Sequence, residues 1–167
     1  DTAIRALAFD HREVAPGTAF FCVRGLTRDG HDFAAEAVAA GAAALIVDHP
    51  LASDVPEVVV DDVRASMAPA AAALAGDPTA ALTMIGITGT SGKTTTSYLT
   101  AALLAPDARQ PGCGMVGTVA TRIGGAEHEA VRTTPEAIAL QQTFAAMLRA
   151  GDTACVMEVS SHALTLH

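Results

Sequence analysis

The chain has 167 residues, half of them hydrophobic, enough for one large packed domain or two small ones. Ten basic residues against eighteen acidic ones give a net charge of −8, which argues against the basic face that a nucleic-acid binder needs. Only 4% of residues are aromatic, so the core must be built from Ala, Val, Leu and Ile.

No uninterrupted apolar run of about eighteen residues occurs, so no membrane span is expected. No signal peptide is visible. Cys22, Cys113 and Cys155 are widely spaced and read as buried free thiols of a reducing compartment, which points to the cytoplasm.

Taken in chain order, "AIRALAF" and "AFFCV" read as strands. "DFAAEAVAAG" reads as a helix with Asp32 as N-cap and Gly41 just past its end. "AALIV" and "EVVV" are short apolar runs of the kind buried in parallel sheets. "DVRASMAPAAAALAGDP" reads as a second helix, capped by Asp62, with Val63, Met67, Ala70 and Leu74 on one face and Pro69 one turn in. Residues 1–80 therefore form a small α/β domain, and "GDPTAAL" is the junction.

Residues 81–167 open with the strand "LTMIGIT", then the loop "GTSG" and a helix from Lys93 to about Leu104. "GMVGTV" and "AVRTT" read as strands with "IGGAEH" as a turn between them. "TPEAIALQQTFAAMLRAG" reads as a helix capped by Thr134, with Pro135 at its first position and Leu140, Phe144, Met147 and Leu148 as its apolar stripe. "TACVMEV" is a buried strand. The alternation of strands and helices implies a parallel sheet in an α/β fold.

"GITGTSGKTTTSYL" carries the chemistry. A loop that grips phosphate needs inward-facing backbone N–H groups, hence small side chains, with a helix N-terminus and a Lys charge beside them. Gly89, Thr90, Ser91 and Gly92 are the small residues, Lys93 is the charge, and Thr94 places a hydroxyl where such loops ligate Mg²⁺, with Thr95 following. The strict pattern G-x-x-x-x-G-K-[ST] is missed by one residue, because Ile87 stands at its first Gly; the strand then runs deeper before the turn. Glu158 ends an apolar strand, where ligands gather in open α/β sheets, and a carboxylate there suits Mg²⁺ beside ATP phosphates.

The form T-G-T-x-G-K-T-T resembles the Mur ligase family, ATP-dependent amide ligases of peptidoglycan precursor synthesis. "MEVSSHAL", "RTTPEA", "GLTRDGHDF" and "FDHREVAPGTAFF" look like the MurE type, in order along nearly the whole chain. The resemblance implies a UDP-binding domain followed by the first part of a P-loop mononucleotide-binding domain. It implies addition of the third amino acid to UDP-N-acetylmuramoyl-L-Ala-D-Glu through an acyl phosphate, with ATP and Mg²⁺.

By the same resemblance, uridine contacts fall on Phe9, His11, Leu26, Thr27 and Arg28, and muramoyl-peptide contacts on Thr133, Thr134 and Ser160. Lys93 and Glu158 are the catalytic residues; Thr94 and Glu158 are the metal ligands. His11, Ser91 and Leu166 stand where the family usually has Ser, Asn and Gln. The family's central domain continues beyond residue 167, with further Mg²⁺ ligands and a third domain for the incoming amino acid, either diaminopimelate or lysine. The chain thus reads as a monomeric N-terminal fragment, inactive alone. Another Mur or folylpolyglutamate-type ligase, or a non-catalytic nucleotide-binding paralogue, stays as an alternative. His31 is read as shaping its loop; His49 and His128 as surface turn residues; His162 as structural.

Overall fold

Thr18–Phe21 is buried along its whole length, which requires neighbours on both edges and cover on both faces. The computed structural model describes residues 3–25, 27–105, 107, 109–130 and 133–165, apart from the side chains of His162 and Thr165. The chain divides into two compact units, Asp1–Leu74 and Ala75–His167.

In the first unit, β1 (Ala6–Ala8), β2 (Thr18–Phe21), β3 (Ala42–Val47) and β4 (Glu57–Val59) form one parallel sheet in the order β1-β2-β3-β4. The helices are α1 (Ala34–Ala39) and α2 (Val63–Ala75). Ala8, Phe20, Cys22, Leu45 and Val47 pack with Ala34 and Ala37 of α1 into a core.

Two local readings change. The turn before α1 is a 3-10 segment, Gly30–Phe33, and its cap is Asp29, whose carboxylate accepts from the His31 amide; Asp32 lies inside that segment. On α2, Asp62 does cap, accepting from the Ala65 amide at 2.9 Å. Its buried residues are Val63, Met67 and Ala71, four apart, whereas Leu74 is 46% exposed and lines an apolar groove with Ala70, Phe21 and Ile46. Gly76 and Asp77 both have positive φ and Pro78 follows, which ends α2.

In the second unit, β5 (Thr83–Ile87), α3 (Lys93–Leu104), β6 (Cys113–Val116), β7 (Ala120–Ile123), β8 (Ala126–Glu129), α4 (Ala137–Arg149), β9 (Ala154–Glu158) and α5 (Ser161–Thr165) follow in chain order. The sheet order is β5-β9-β6-β7-β8. β5, β9 and β6 are parallel, while β7 and β8 are antiparallel to their neighbours. The sheet is therefore mixed, not purely parallel. Gly124 (φ +56°) and Gly125 (φ +83°) make a two-residue hairpin turn that demands left-handed backbone at both positions. β8 falls largely within "IGGAEH", expected as a turn, and its residues are all exposed and polar enough to escape a search for apolar runs; the strand expected at "AVRTT" rests in part on residues that are not described. Val131 and Arg132 lie outside the described residues.

β9 is an inner strand between β5 and β6, and its alternation sets the site. Cys155 and Met157 face Phe144 and Met147 of α4. Ala154 and Val156 face Ala101 and Ala105 of α3, with Ile85 and Ile87 beside them. By the two-residue period, Glu158 belongs to the α3 side, at the strand's carboxyl end. Buried Asp152, just before β9, accepts from the Gly112 and Gly124 amides at 2.8 Å each and so pins the hairpin turn to the loop that leads into β6.

Candidate functional site

β5 runs to Ile87, whose carbonyl accepts from the Val159 amide at 2.9 Å. The strand's pairing with β9 is thus complete at the residue where the strict phosphate-loop pattern has Gly. The chain then turns through Gly89 (φ +151°) and Gly92 (φ +78°), and α3 starts at Lys93 with Gly92 as its N-cap. Gly92 has no side-chain cap, so the first-turn amides of α3 are left for another acceptor, the usual condition for anion binding. Lys93 Nζ reaches back to the Gly89 carbonyl at 2.8 Å, which holds the ammonium over the loop. Thr90, Ser91 and Thr95 are exposed on the same loop and first turn.

Glu158 is 1% exposed. Its Oε2 accepts from Thr94 Oγ1 at 3.1 Å and Thr118 Oγ1 at 3.0 Å; its Oε1 accepts from the Thr118 amide at 3.1 Å. Among the described residues, hydroxyls and an amide, rather than a cationic side chain, hold this buried carboxylate. Gly117 makes the approach possible, since a Cβ there would stand 2.6 Å from Glu158 Oε1. A cation at Thr94 and Glu158 fits this donor set: oxygen ligands only, one of them a buried anion.

Thr134 does not cap α4, whose N-cap is Glu136. Its hydroxyl donates to the Glu158 carbonyl at 2.9 Å and accepts from the Ser160 amide at 3.2 Å. Thr133 Oγ1 lies 3.1 Å from Thr118 Oγ1 and donates to it, since the one Thr118 hydroxyl proton goes to Glu158. Ser160 Oγ in turn accepts from the Ala163 amide at 3.1 Å, which caps α5. Thr94, Thr118, Thr133, Thr134, Glu158 and Ser160 therefore form one hydrogen-bonded network. Thr118 was not among the residues singled out from the sequence. A Gly-Thr pair immediately after the buried strand β6 was the available signal.

In the first unit the loop after β1 is tightened by Asp10, which accepts from the Arg12 amide and guanidinium. The Arg12 hydrogen bond holds the Asp10 carboxyl down at about 2. His11 stacks on Phe33 with ring centroids 4.4 Å apart and planes 2° from parallel. The Arg28 guanidinium lies 5.9 Å from the same ring's centre. The structure thus brings His11 and Arg28 together around Phe33, which the sequence reading had left out; an aromatic residue inside "GLTRDGHDF" was the cue. Phe9 is half-buried next to β1 and Thr27 is exposed beside Arg28. Leu26 and Leu166 lie outside the described residues.

All three thiols are buried and unpaired. Desolvation pushes Cys22 and Cys155 up to about 12 and raises Cys113. Among the described residues, no helix is long and apolar enough to cross a membrane.

Comparison with known proteins matches two family models along the chain. One, the Mur ligase middle domain, covers residues 87–167 and holds the phosphate loop and Glu158. The other, described as the Mur ligase family catalytic domain, covers residues 3–76. The UDP-N-acetylmuramoyl-L-alanyl-D-glutamate–2,6-diaminopimelate ligase of Geobacillus thermodenitrificans is 50% identical over 163 residues, spanning 96% of this chain and 32% of the relative. The enzyme of that name from Listeria monocytogenes (strain F2365) is 44% identical over 161 residues, 96% of this chain and 32% of its own. A solved structure of a ligase with this name superposes with TM-score 0.77 at 28% identity, over 98% of this chain and 33% of that one. The MurF ligase of Thermotoga maritima, solved in complex with ADP, gives 0.63 at 26% identity over 96% and 33%. The chain spans about a third of the length of the curated relatives it matches. With a matching family model on each of its two segments, the chain belongs to the Mur ligase family.

Proposed function

We propose that the second unit binds the phosphates of ATP with Mg²⁺ and that the first binds the uridine end of UDP-N-acetylmuramoyl-L-alanyl-D-glutamate. Together they would serve a parent protein that adds the third amino acid, diaminopimelate in the relatives' names, in the cytoplasm. The observation that carries this reading is the buried Glu158 carboxylate bonded to the Thr94 hydroxyl, one residue after the Lys93 that closes the phosphate loop.

In this reading the Gly89–Gly92 amides and the first turn of α3 take the phosphate oxygens, and Lys93 neutralises the outer ones. Thr94 and Glu158 would hold Mg²⁺, which supplies charge neutralisation to the γ-phosphate. Thr118 orients Glu158 by two of its three bonds. Thr133, Thr134 and Ser160, on the same network, present hydroxyls to the muramoyl-peptide. His11 and Arg28, gathered on Phe33, offer a stacking face and a charge to uridine diphosphate. The substrate's D-Glu carboxylate would attack the γ-phosphate with ADP as leaving group, and the amino acid's amine would then displace inorganic phosphate from the acyl phosphate, forming the amide. No protein nucleophile is required. The amino-acid site belongs to the parent-length protein, so the 167 residues, a monomer in this reading, bind but do not ligate.

Calorimetric titration of the chain with UDP-N-acetylmuramoyl-L-alanyl-D-glutamate tests this. Saturable binding is expected, weakened about tenfold or more by Arg28→Ala, the loss of one charge-assisted contact. Absence of binding, or an unchanged affinity in Arg28→Ala, refutes the assignment of that face. Stem-peptide ligation by the isolated chain refutes the division of labour.

A further inference from the structure

At the carboxyl ends of β2 and β3, on the loop that also carries Arg28 and Phe33, two imidazoles and two carboxylates converge. His31 has a side chain only 6% exposed. Its Nδ1 lies 2.6 Å from Asp29 Oδ1, and the same oxygen accepts from the His31 amide at 3.0 Å. A proton on Nδ1 serves that bond and leaves the Nε2 lone pair bare. Nε2 then stands 3.2 Å from Asp48 Oδ1, with only a long 3.3 Å bond from the Asp48 amide to satisfy it. His49 stacks on His31, ring centroids 4.7 Å apart, and directs its Nδ1 to the same Asp48 Oδ1 at 2.5 Å.

Two ring nitrogens thus meet one carboxylate oxygen, and a lone pair faces a lone pair unless a cation sits between. The ligand atoms of His31, Asp48 and His49 all lie within 4.8 Å of one another. In a tetrahedral zinc site with ligands roughly 2.0–2.1 Å from the metal, neighbouring donors are about 3.3 Å apart. The 3.2 Å spacing of His31 Nε2 and Asp48 Oδ1 already has that length, whereas His49 Nδ1, 2.5 Å from Oδ1, would have to draw back by about 0.8 Å to share the ion.

We propose that His31, Asp48 and His49 form a binding site for a borderline divalent metal ion of the zinc class. Imidazole and carboxylate donors suit such an ion. Asp29 completes the arrangement usual behind a metal-bound histidine, a carboxylate accepting the other ring N–H and fixing the ring. Arg24 straddles Asp48, with Nε on Oδ2 at 2.7 Å and Nη2 donating to Oδ1 at 3.2 Å, so a metal ion on Oδ1 would take the place of the longer of the two bonds. Two carboxylates against one guanidinium keep the pocket's charge negative. His49 has a half-exposed side chain, so the fourth position opens to solvent and takes water. The bound ion would tie the Arg24–Phe33 loop to the end of β3.

The test is titration of the chelator-treated 167-residue chain with Zn²⁺ against a chromophoric competitor, and with Co²⁺ followed by visible absorption. One equivalent is expected. His49→Ala should weaken it at least tenfold, and Asp29→Asn roughly ten- to hundredfold, as loss of an orienting carboxylate does elsewhere. His128→Ala, on exposed β8, should leave it unchanged. In the unmutated chain, ¹⁵N shifts of the His31 and His49 rings should move on adding Zn²⁺ while those of His11 and His128 stay, a readout that needs no variant to fold. Lack of saturable binding at one equivalent, or equal affinity in His49→Ala, overturns the proposal and leaves a proton as the cation in the cluster.

Discussion

Gly117→Ala puts a methyl group into the tightest contact of the nucleotide site. Its Cβ would stand 2.6 Å from Glu158 Oε1, where ordinary contact begins at 3.4 Å, so the carboxylate must retreat by about 0.8 Å. Gly117 has no positive φ, so the whole effect comes from this contact. Glu158 cannot retreat freely: it is 1% exposed and bonded to the Thr118 amide and to two hydroxyls. The 3.1 Å bond from the Thr118 amide to Oε1 is the first to break. A hydrogen bond to a charged group contributes about 1.5–3 kcal/mol, so urea denaturation should show a loss of that order. Mg²⁺-dependent ATP affinity, followed by calorimetry, should fall about ten- to hundredfold, the same energy read as binding. A Gly117→Ala chain with unchanged stability and unchanged ATP affinity refutes the claim that Glu158 is held in one fixed position.

Three further outcomes are expected. The native chain should show almost no fast-reacting thiol toward a disulfide reagent and three in denaturant, because burial raises all three cysteines, Cys22 and Cys155 to about 12. Asp10 and Asp48 are held at about 2, by Arg12 and by His49 with Arg24, below the usual carboxylate range. The unfolded chain therefore binds more protons, and the stability these carboxyls contribute is full above about pH 4 and lost as pH falls toward 2. Thermal melts between pH 5 and 2 should show that slope, flattened in an Asp10→Asn, Asp48→Asn chain. Asp152→Ala strips the acceptor from the Gly112 and Gly124 amides and should cost about 2–4 kcal/mol by urea denaturation, without changing the far-ultraviolet spectrum of the folded state.

What could be read from the sequence followed the strength of local signals. The start of α3 at Lys93 was legible because loop chemistry, strand and helix agree over ten residues. The extension of β5 to Ile87 was legible as an apolar residue where a looser turn would have Gly. β8 was not, because an edge strand with every residue exposed has no apolar pattern and only Gly124-Gly125 marks it. Thr134 looked like a helix cap by type and position, yet tertiary bonds to Glu158 and Ser160 claim its hydroxyl. Thr118 and Glu158 are forty residues apart, and their pairing exists only because β6 and β9 are neighbours in the sheet. The same holds for His31 and Asp48, joined across seventeen residues by the ends of adjacent strands.

The most direct test of the nucleotide reading is an ATP titration of the chain with Mg²⁺ and with chelator, in the wild type and in Glu158→Gln. Glutamine keeps the shape and can still bond Thr94 and Thr118, so the fold should hold. Mg²⁺ is expected to tighten ATP binding at least tenfold in the wild type and to have little effect in Glu158→Gln. An equal response to Mg²⁺ in both chains would contradict Glu158 as the metal's carboxylate and the account built on it.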